Sequence, residues 1–185
     1  MKLEQSEIKI RNATPEDASV LARWWNDGLV MSHAGFPNGL GISEKQIVED
    51  LKKESDISGR TLIIEYQNIP IGEMCFRNKG NQTAGIGIKI CEFEYQKKGL
   101  GKMVLSMLIK DLFSSGYKKI ILDTNLNNRL AQHVYEKLGF QKVSIKIDAW
   151  KDQLGNFQSS IDYELSEDTF VDFSSTTSVP TSSAD

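Results

Sequence analysis

The sequence predicts a single mixed α/β domain: a central, twisted, mostly antiparallel mixed sheet flanked by helices, in the order β-α-α-β-β-β-α-β-α-β-β. Three observations carry this. Apolar residues recur at helical spacing in some segments and alternate in others. Short turns join the strands between Thr61 and Cys91, which makes that run an antiparallel meander. The strand-helix-strand unit that follows needs a parallel pair. With 185 residues, 39% of them apolar, the chain has the material for one core.

Each segment follows from local chemistry. Ile8-Lys9-Ile10 alternates, as a strand does. Thr14-Pro15-Glu16-Asp17 opens a helix, with a capping threonine, a proline where the first turn tolerates it, and acids at the positive end. Ala18, Leu21, Ala22 and Trp25 give that helix its inner face, and Gly28 is expected to end it. Residues 28–42 carry four glycines and a proline, so they form a long loop or a broken helix. Ser43 and Gln46 match a capping box for a helix over about 44–54. Strands follow at Thr61–Tyr66, Ile69–Arg77 and Thr83–Cys91, with turns at Asn68 and at Asn78–Asn81. Gly85 and Gly87 would permit a bulge in the third.

Leu100, Val104, Leu108 and Leu112 step by four along a largely buried helix that starts near Gly99 and stops at Gly116. Lys119–Asp123 is a short buried strand. Asn127 or Asn128 caps the next helix, whose apolar face is Leu130, Ala131, Val134, Tyr135 and Leu138, and Gly139 terminates it. Val143, Ile145 and Ile147 alternate in one strand, and Ile161, Tyr163 and Leu165 in the last. The domain is expected to occupy residues 1–167. Residues 168–185 turn to serine, threonine and aspartate and read as a mobile tail.

Charge and cysteine content narrow the function. Lysine and arginine number 22 against 25 acids, a formal charge of −3, so a broad cationic surface for nucleic acid is not expected. Cys75 and Cys91 show no disulfide or zinc spacing. No metal is expected, since neither His33 nor His133 has ligand company. No apolar stretch approaches the roughly 20 residues of a membrane span, and residues 1–11 hold no signal-like apolar run. The expectation is a reduced, cytoplasmic protein with no membrane partner.

The most informative stretch is Gln96-Lys97-Lys98-Gly99-Leu100-Gly101-Lys102, between a strand and the helix it opens. Glycines let the backbone turn tightly and approach a ligand. A helix start offers unpaired N–H groups and partial positive charge, so an anion is the natural guest. The lysines add full charges, and a pyrophosphate fits. A Walker loop does not match, because Met103 follows Gly101-Lys102. A dinucleotide fingerprint would want glycine where Val104 stands.

Gln-x-x-Gly-x-Gly after a strand resembles the coenzyme A signature of the GCN5-related N-acetyltransferases. Asn128 to Ala131, with Tyr135-Glu136-Lys137-Leu138-Gly139-Phe140, is similar to that family's second signature. The resemblance covers about residues 7–165, and it leans toward the aminoglycoside and ribosomal-protein acetyltransferase branch. It implies acetyl transfer from acetyl-CoA, as co-substrate, directly to an amine of a small molecule, peptide or protein. It implies that Gln96 to Lys102 (Gln96, Lys97, Lys98, Gly99, Leu100, Gly101, Lys102) hold the pyrophosphate. Backbone groups around Ile88 and Ile90 would pair with the pantetheine amides. Asn128 and Tyr135 lie seven residues apart, about two turns or ~10 Å along one helix face. The resemblance implies that Tyr135 serves the departing sulfur.

The base is less defined. Many relatives carry an acid before the pyrophosphate loop, where this chain reads Ala84-Gly85-Ile86-Gly87. Glu73, mid-strand beside Gly72, is the carboxylate proposed to reach the cleft; Glu92, Asp123, a water chain or an amine arriving neutral stay open. Asp123 reads as structural. Trp25, His33 and Phe36 are expected to line the acceptor pocket, with one of Trp24 and Trp25 in the core. Two rivals share the fold: a non-catalytic acyl-CoA-binding regulatory domain, and a peptide or ribosomal-protein modifier working through partner recognition. A homodimer stays open.

Overall fold

The computed structural model describes residues 1–175. Its strands are β1 (Lys2–Gln5), β2 (Ile8–Asn12), β3 (Gly59–Tyr66), β4 (Ile69–Asn78), β5 (Thr83–Ile90), β6 (Lys119–Asn125), β7 (Gln141–Lys151) and β8 (Phe157–Ser166). Its helices are α1 (Ala18–Trp25), α2 (Gly28–Met31), α3 (Glu44–Leu51), α4 (Leu100–Ser114) and α5 (Arg129–Lys137). One sheet runs β1-β2-β3-β4-β5-β6-β8-β7. The β5–β6 pair is parallel, and every other neighbouring pair is antiparallel.

Both faces of the sheet are covered, as expected. Leu62, Ile64, Met74, Leu122 and Tyr163 pack under α4 and α5. On the opposite face Leu21, Trp24, Ile47 and Leu51 from α1 and α3 pack on Ile63 and Cys91. Ser43 accepts from the Gln46 N–H at 3.2 Å and starts α3. The start of α1 is clasped to the sheet by Arg11. Its guanidinium donates to Asp17 at 2.7 and 2.8 Å and to Glu65 at 2.7 Å. Burial opposes ionisation of both carboxylates, yet the Arg11 hydrogen bonds hold them below their ordinary range.

The feature that positions the site is a split in the sheet. β5 and β6 pair at Thr83↔Lys119, Ala84↔Ile120 and Gly85↔Ile121, and then part. β5 continues on β4 as far as Gly72↔Ile90, and β6 continues on β8 as far as Asn125↔Ser160. A V-shaped opening results, with one backbone edge of each strand facing into it. The bulge expected at Gly85 and Gly87 is absent: the β4–β5 register runs without a shift. Gly87 instead leaves room for Cys75, whose Sγ would lie 3.2 Å from an added Cβ.

Several expectations change. β1 was not foreseen, because Lys2–Gln5 is a polar edge strand with no apolar pattern. Gly28 opens α2 rather than ending α1; Asp27 caps α2 by accepting from the Leu29 N–H at 2.8 Å. A glycine is needed there because a Cβ would meet the Pro37 carbonyl at 1.9 Å. Val143, Ile145 and Ile147 are exposed on the edge strand β7. The boundary at 167 also moves. Residues 168–175 pack on the domain as a strap, because Phe170 and Phe173, each partly buried, pack against its main core. Residues 176–185 of the expected tail lie outside the described residues.

Candidate active site

A cleft of about 810 Å³ fills the opening of the V, a size suited to a small molecule or cofactor arm. Ile86 to Ile90 of β5 form one wall and Asp123 to Asn125 of β6 the other. The 96–102 loop and α5 close one side, while α2, His33 and Trp150 close the opposite side.

The loop makes a cradle from its backbone. Lys97 and Gly99 have φ of 59° and 80°, so the chain coils tightly into the start of α4. A Cβ at Gly99 or Gly101 would meet no atom within 4 Å. The glycines therefore keep open space in front of the helix N–H groups, where an anion fits. Gln96 lines the cleft and fixes the loop to β5: its Nε2 donates to the Ile90 carbonyl at 2.8 Å. Lys97 and Lys102 line the cleft. Lys98 does not; its ammonium sits 5.6 Å from the Tyr95 ring centroid. The Leu100 side chain is buried in the core, which leaves only its backbone for a ligand.

Asn128 and Tyr135 stand on the cleft side of α5. Asn128 is the helix cap, accepting from the Ala131 N–H at 3.2 Å. Gln132, which the sequence reading did not single out, is buried and donates to the Leu126 carbonyl at 2.8 Å. It locks the turn that carries Asn128. Tyr135 is wedged between Phe140 and Tyr163, each ring centroid 5.8 Å away. Burial, and next the Asp123 charge, push its phenol above the ordinary tyrosine range, so it stays protonated at neutral pH.

The acids divide differently from the expectation. Glu73 is buried away from the cleft, its carboxylate 2.9 Å from Lys89 Nζ. Burial would lower the Lys89 ammonium, but Glu73 overrides it and holds it above its usual value. Glu92 is likewise engaged: it accepts from Trp24 Nε1 at 2.7 Å and Arg23 at 2.6 Å. Asp123 is the acid that reaches the cleft. It alternates with Leu122, which faces α4 and α5, so Asp123 points to the α1 and α2 side. The sequence carried this alternation, but only the split of the sheet opens that face to a ligand. Burial pushes the Cys91 thiol up to about 12 and raises Cys75, so neither is a ready nucleophile.

Of the residues expected in the acceptor pocket, His33 lines the cleft. Trp25 packs against the α1 and α3 cluster, and Phe36 lies outside the cleft, half exposed. Trp24 is the core tryptophan. The aromatic wall comes from Trp150, far along the chain. A Cβ at Gly35 would sit 2.2 Å from the Trp150 ring, so that glycine makes the close approach feasible. Among the described residues, no three metal-ligating side chains come together, and no helix is long and apolar enough to cross a membrane.

Comparison with known proteins places this geometry. The chain is 27% identical over 140 residues to an uncharacterized protein of Methanocaldococcus jannaschii, a match covering 75% of this chain and 29% of that one. It is 36% identical over 53 residues to the ribosomal protein bS18-alanine N-acetyltransferase of Salmonella typhimurium, covering 29% of this chain and 36% of that one. The matches thus span about a third of each relative. A spermidine N-acetyltransferase from Vibrio cholerae, solved with CoA and spermine, superposes with a TM-score of 0.79 at 21% identity, covering 89% of this chain and 98% of that one. Residues 22–140 match the model of the acetyltransferase (GNAT) family, which takes in the cradle, the split strands and α5; the chain belongs to that family.

Proposed function

We propose that the cleft binds acetyl-CoA and passes its acetyl group directly to a primary amine. One observation carries the reading: the cradle at Gly99 opens into the same cleft as Tyr135, and the unpaired edge of β5 runs between them. The pyrophosphate sits on the start of α4, beside Lys97 and Lys102. The pantetheine amides pair with the backbone edge of β5 around Ile88 and Ile90, where the Ile90 carbonyl already accepts from Gln96, as an added strand would. The thioester then lies at the opening, beside Tyr135.

The amine enters from the opposite side, between His33, Trp150 and Asp123. The free amine nitrogen attacks the thioester carbonyl, and the C–S bond breaks as the amide forms. Tyr135 donates its phenolic hydrogen to the departing sulfur, and solvent reprotonates it. Asp123 accepts the surplus proton of the amine, directly or through water. We assign that role to Asp123 rather than Glu73, because Glu73 is tied to Lys89. Asp123 is also the one carboxylate among the described residues that line the cleft, which holds four lysines. An acceptor with one ammonium and an apolar or aromatic neighbour suits this site better than a polyamine. The Vibrio cholerae structure holds spermine, but a chain of several ammonium groups would meet a single acid here.

A thiol-release assay with acetyl-CoA, run across peptides with free N-termini, arylalkylamines and polyamines, tests the proposal. Turnover is expected with the first two classes. Coenzyme binding without turnover of any amine would favour a regulatory domain instead.

A further inference from the structure

We infer that the C-terminal strap is part of the coenzyme site, and that Phe173 positions Lys102 at the cradle. The inference rests on the coenzyme reading of that cradle. Residues 168–175 leave β8 and run back along α4 toward its N-terminus. Phe170 stands 6.0 Å from Phe113, Asp172 pairs with Lys110 at 3.1 Å, and the Phe173 N–H donates to Ser106 Oγ at 2.9 Å. The next step along the same face of α4 is Lys102, whose ammonium lies 4.7 Å from the centre of the Phe173 ring.

That distance is within the range where a ring face attracts a cation. Lys102 is the third residue of α4, so its side chain leans back toward the helix start and the cradle. A lysine free in solvent would have to give up most of its rotamer freedom to meet a phosphate. Phe173 restricts it beforehand while leaving it in the cleft lining.

The ring is itself held firmly. Ser106 is fully buried, an uneconomical place for a hydroxyl unless it has a partner, and Phe173 supplies one. Ser174 is buried; its carbonyl accepts from Gln5 and its N–H donates to Asp172 at 2.7 Å. At the other end the Val171 N–H donates to the Leu138 carbonyl at 3.0 Å, one turn beyond Tyr135. The strap therefore touches both helices that carry the site, α4 at Lys102 and α5 beside Tyr135.

The test is a double-mutant cycle on coenzyme A affinity, measured by calorimetry on the full chain. Phe173→Leu keeps the packing and loses the ring face; the dissociation constant should rise about threefold. Phe173→Tyr should stay near wild type. In a Lys102→Met background, Phe173→Leu should add nothing. Ser106→Ala, which loosens Phe173 without touching Lys102, should weaken binding in the same direction and guards against a leucine variant that fails to fold. Unchanged or tighter binding in Phe173→Leu, or losses that multiply in the double variant, would overturn the inference. Wild-type protein that binds no coenzyme A would instead remove the coenzyme reading itself, and the role of the strap with it.

Discussion

The two sides of the cleft are assembled in different ways. The proposed coenzyme side is local: seven consecutive residues, Gln96 to Lys102, supply a cradle whose atoms are mostly backbone. The proposed acceptor side is composite: His33, Asp123 and Trp150 come from three distant segments and line one cleft where the sheet opens between β5 and β6. A backbone site depends on chain conformation and on room. A composite site depends on side chains, and each can change without disturbing the others. The first kind suits a constant ligand, and the second a ligand that differs from one family member to the next.

This contrast sets the size of the expected effects. The largest belongs to Gly99→Asp. The residue has φ of 80° and faces open space, so an aspartate adds backbone strain and puts a negative charge where the proposed pyrophosphate would sit. Coenzyme A affinity by calorimetry should fall by about 100-fold or more, a loss of ~2.7 kcal/mol at 25 °C, while the fold persists. Affinity that survives this change would break the comparison on its backbone side.

Asp123→Asn sharpens the other side. Coenzyme affinity should stay within about twofold, and kcat/KM for the amine should fall by about tenfold or more. Glu73→Gln, by contrast, breaks the pair with Lys89 and should show mainly as a lower Tm. If the glutamine variant loses turnover with Tm and coenzyme affinity intact, the base has been assigned to the wrong strand.

The smallest effect concerns the scaffold under the acceptor side. α1 leads into α2, and the Arg11 clasp holds its start. Asp17 and Glu65 have lowered folded values, so their stabilisation is present above their unfolded values of about 4 and is lost as pH falls through the folded ones. Arg11→Met should therefore lower Tm by several degrees at pH 7, with the gap to wild type narrowing as pH falls below the unfolded values of about 4. A gap that is constant with pH would mean that the clasp acts through packing alone.

The same contrast explains what the sequence revealed. Loop 96–102, the Asn128 cap and the Gly139 stop are contiguous patterns with local chemistry, and each stands where expected. Spacing put Tyr135 on the inner face of its helix, and the resemblance to the family, not the spacing, singled it out for the site. Glu73 was expected to reach the cleft and Asp123 to be structural, and the structure reverses their places, since alternation tells which residues share a face but not which face a cleft exposes. Trp150 had no local signal: its place depends on β7 returning past Gly35. The strap was missed because Phe170 and Phe173 are isolated aromatics among polar residues, too few to show a periodic face.

The central claim is that Tyr135 serves the departing sulfur at the point where the two sides meet. Steady-state kinetics of Tyr135→Phe, with coenzyme affinity and a thermal melt beside them, tests it most directly. The ring still packs between Phe140 and Tyr163, so affinity and Tm should hold. Turnover should fall by about 10²-fold, with the loss in kcat, because the interaction matters as negative charge develops on sulfur. Turnover within about twofold of wild type would contradict the account and assign the phenol to packing alone.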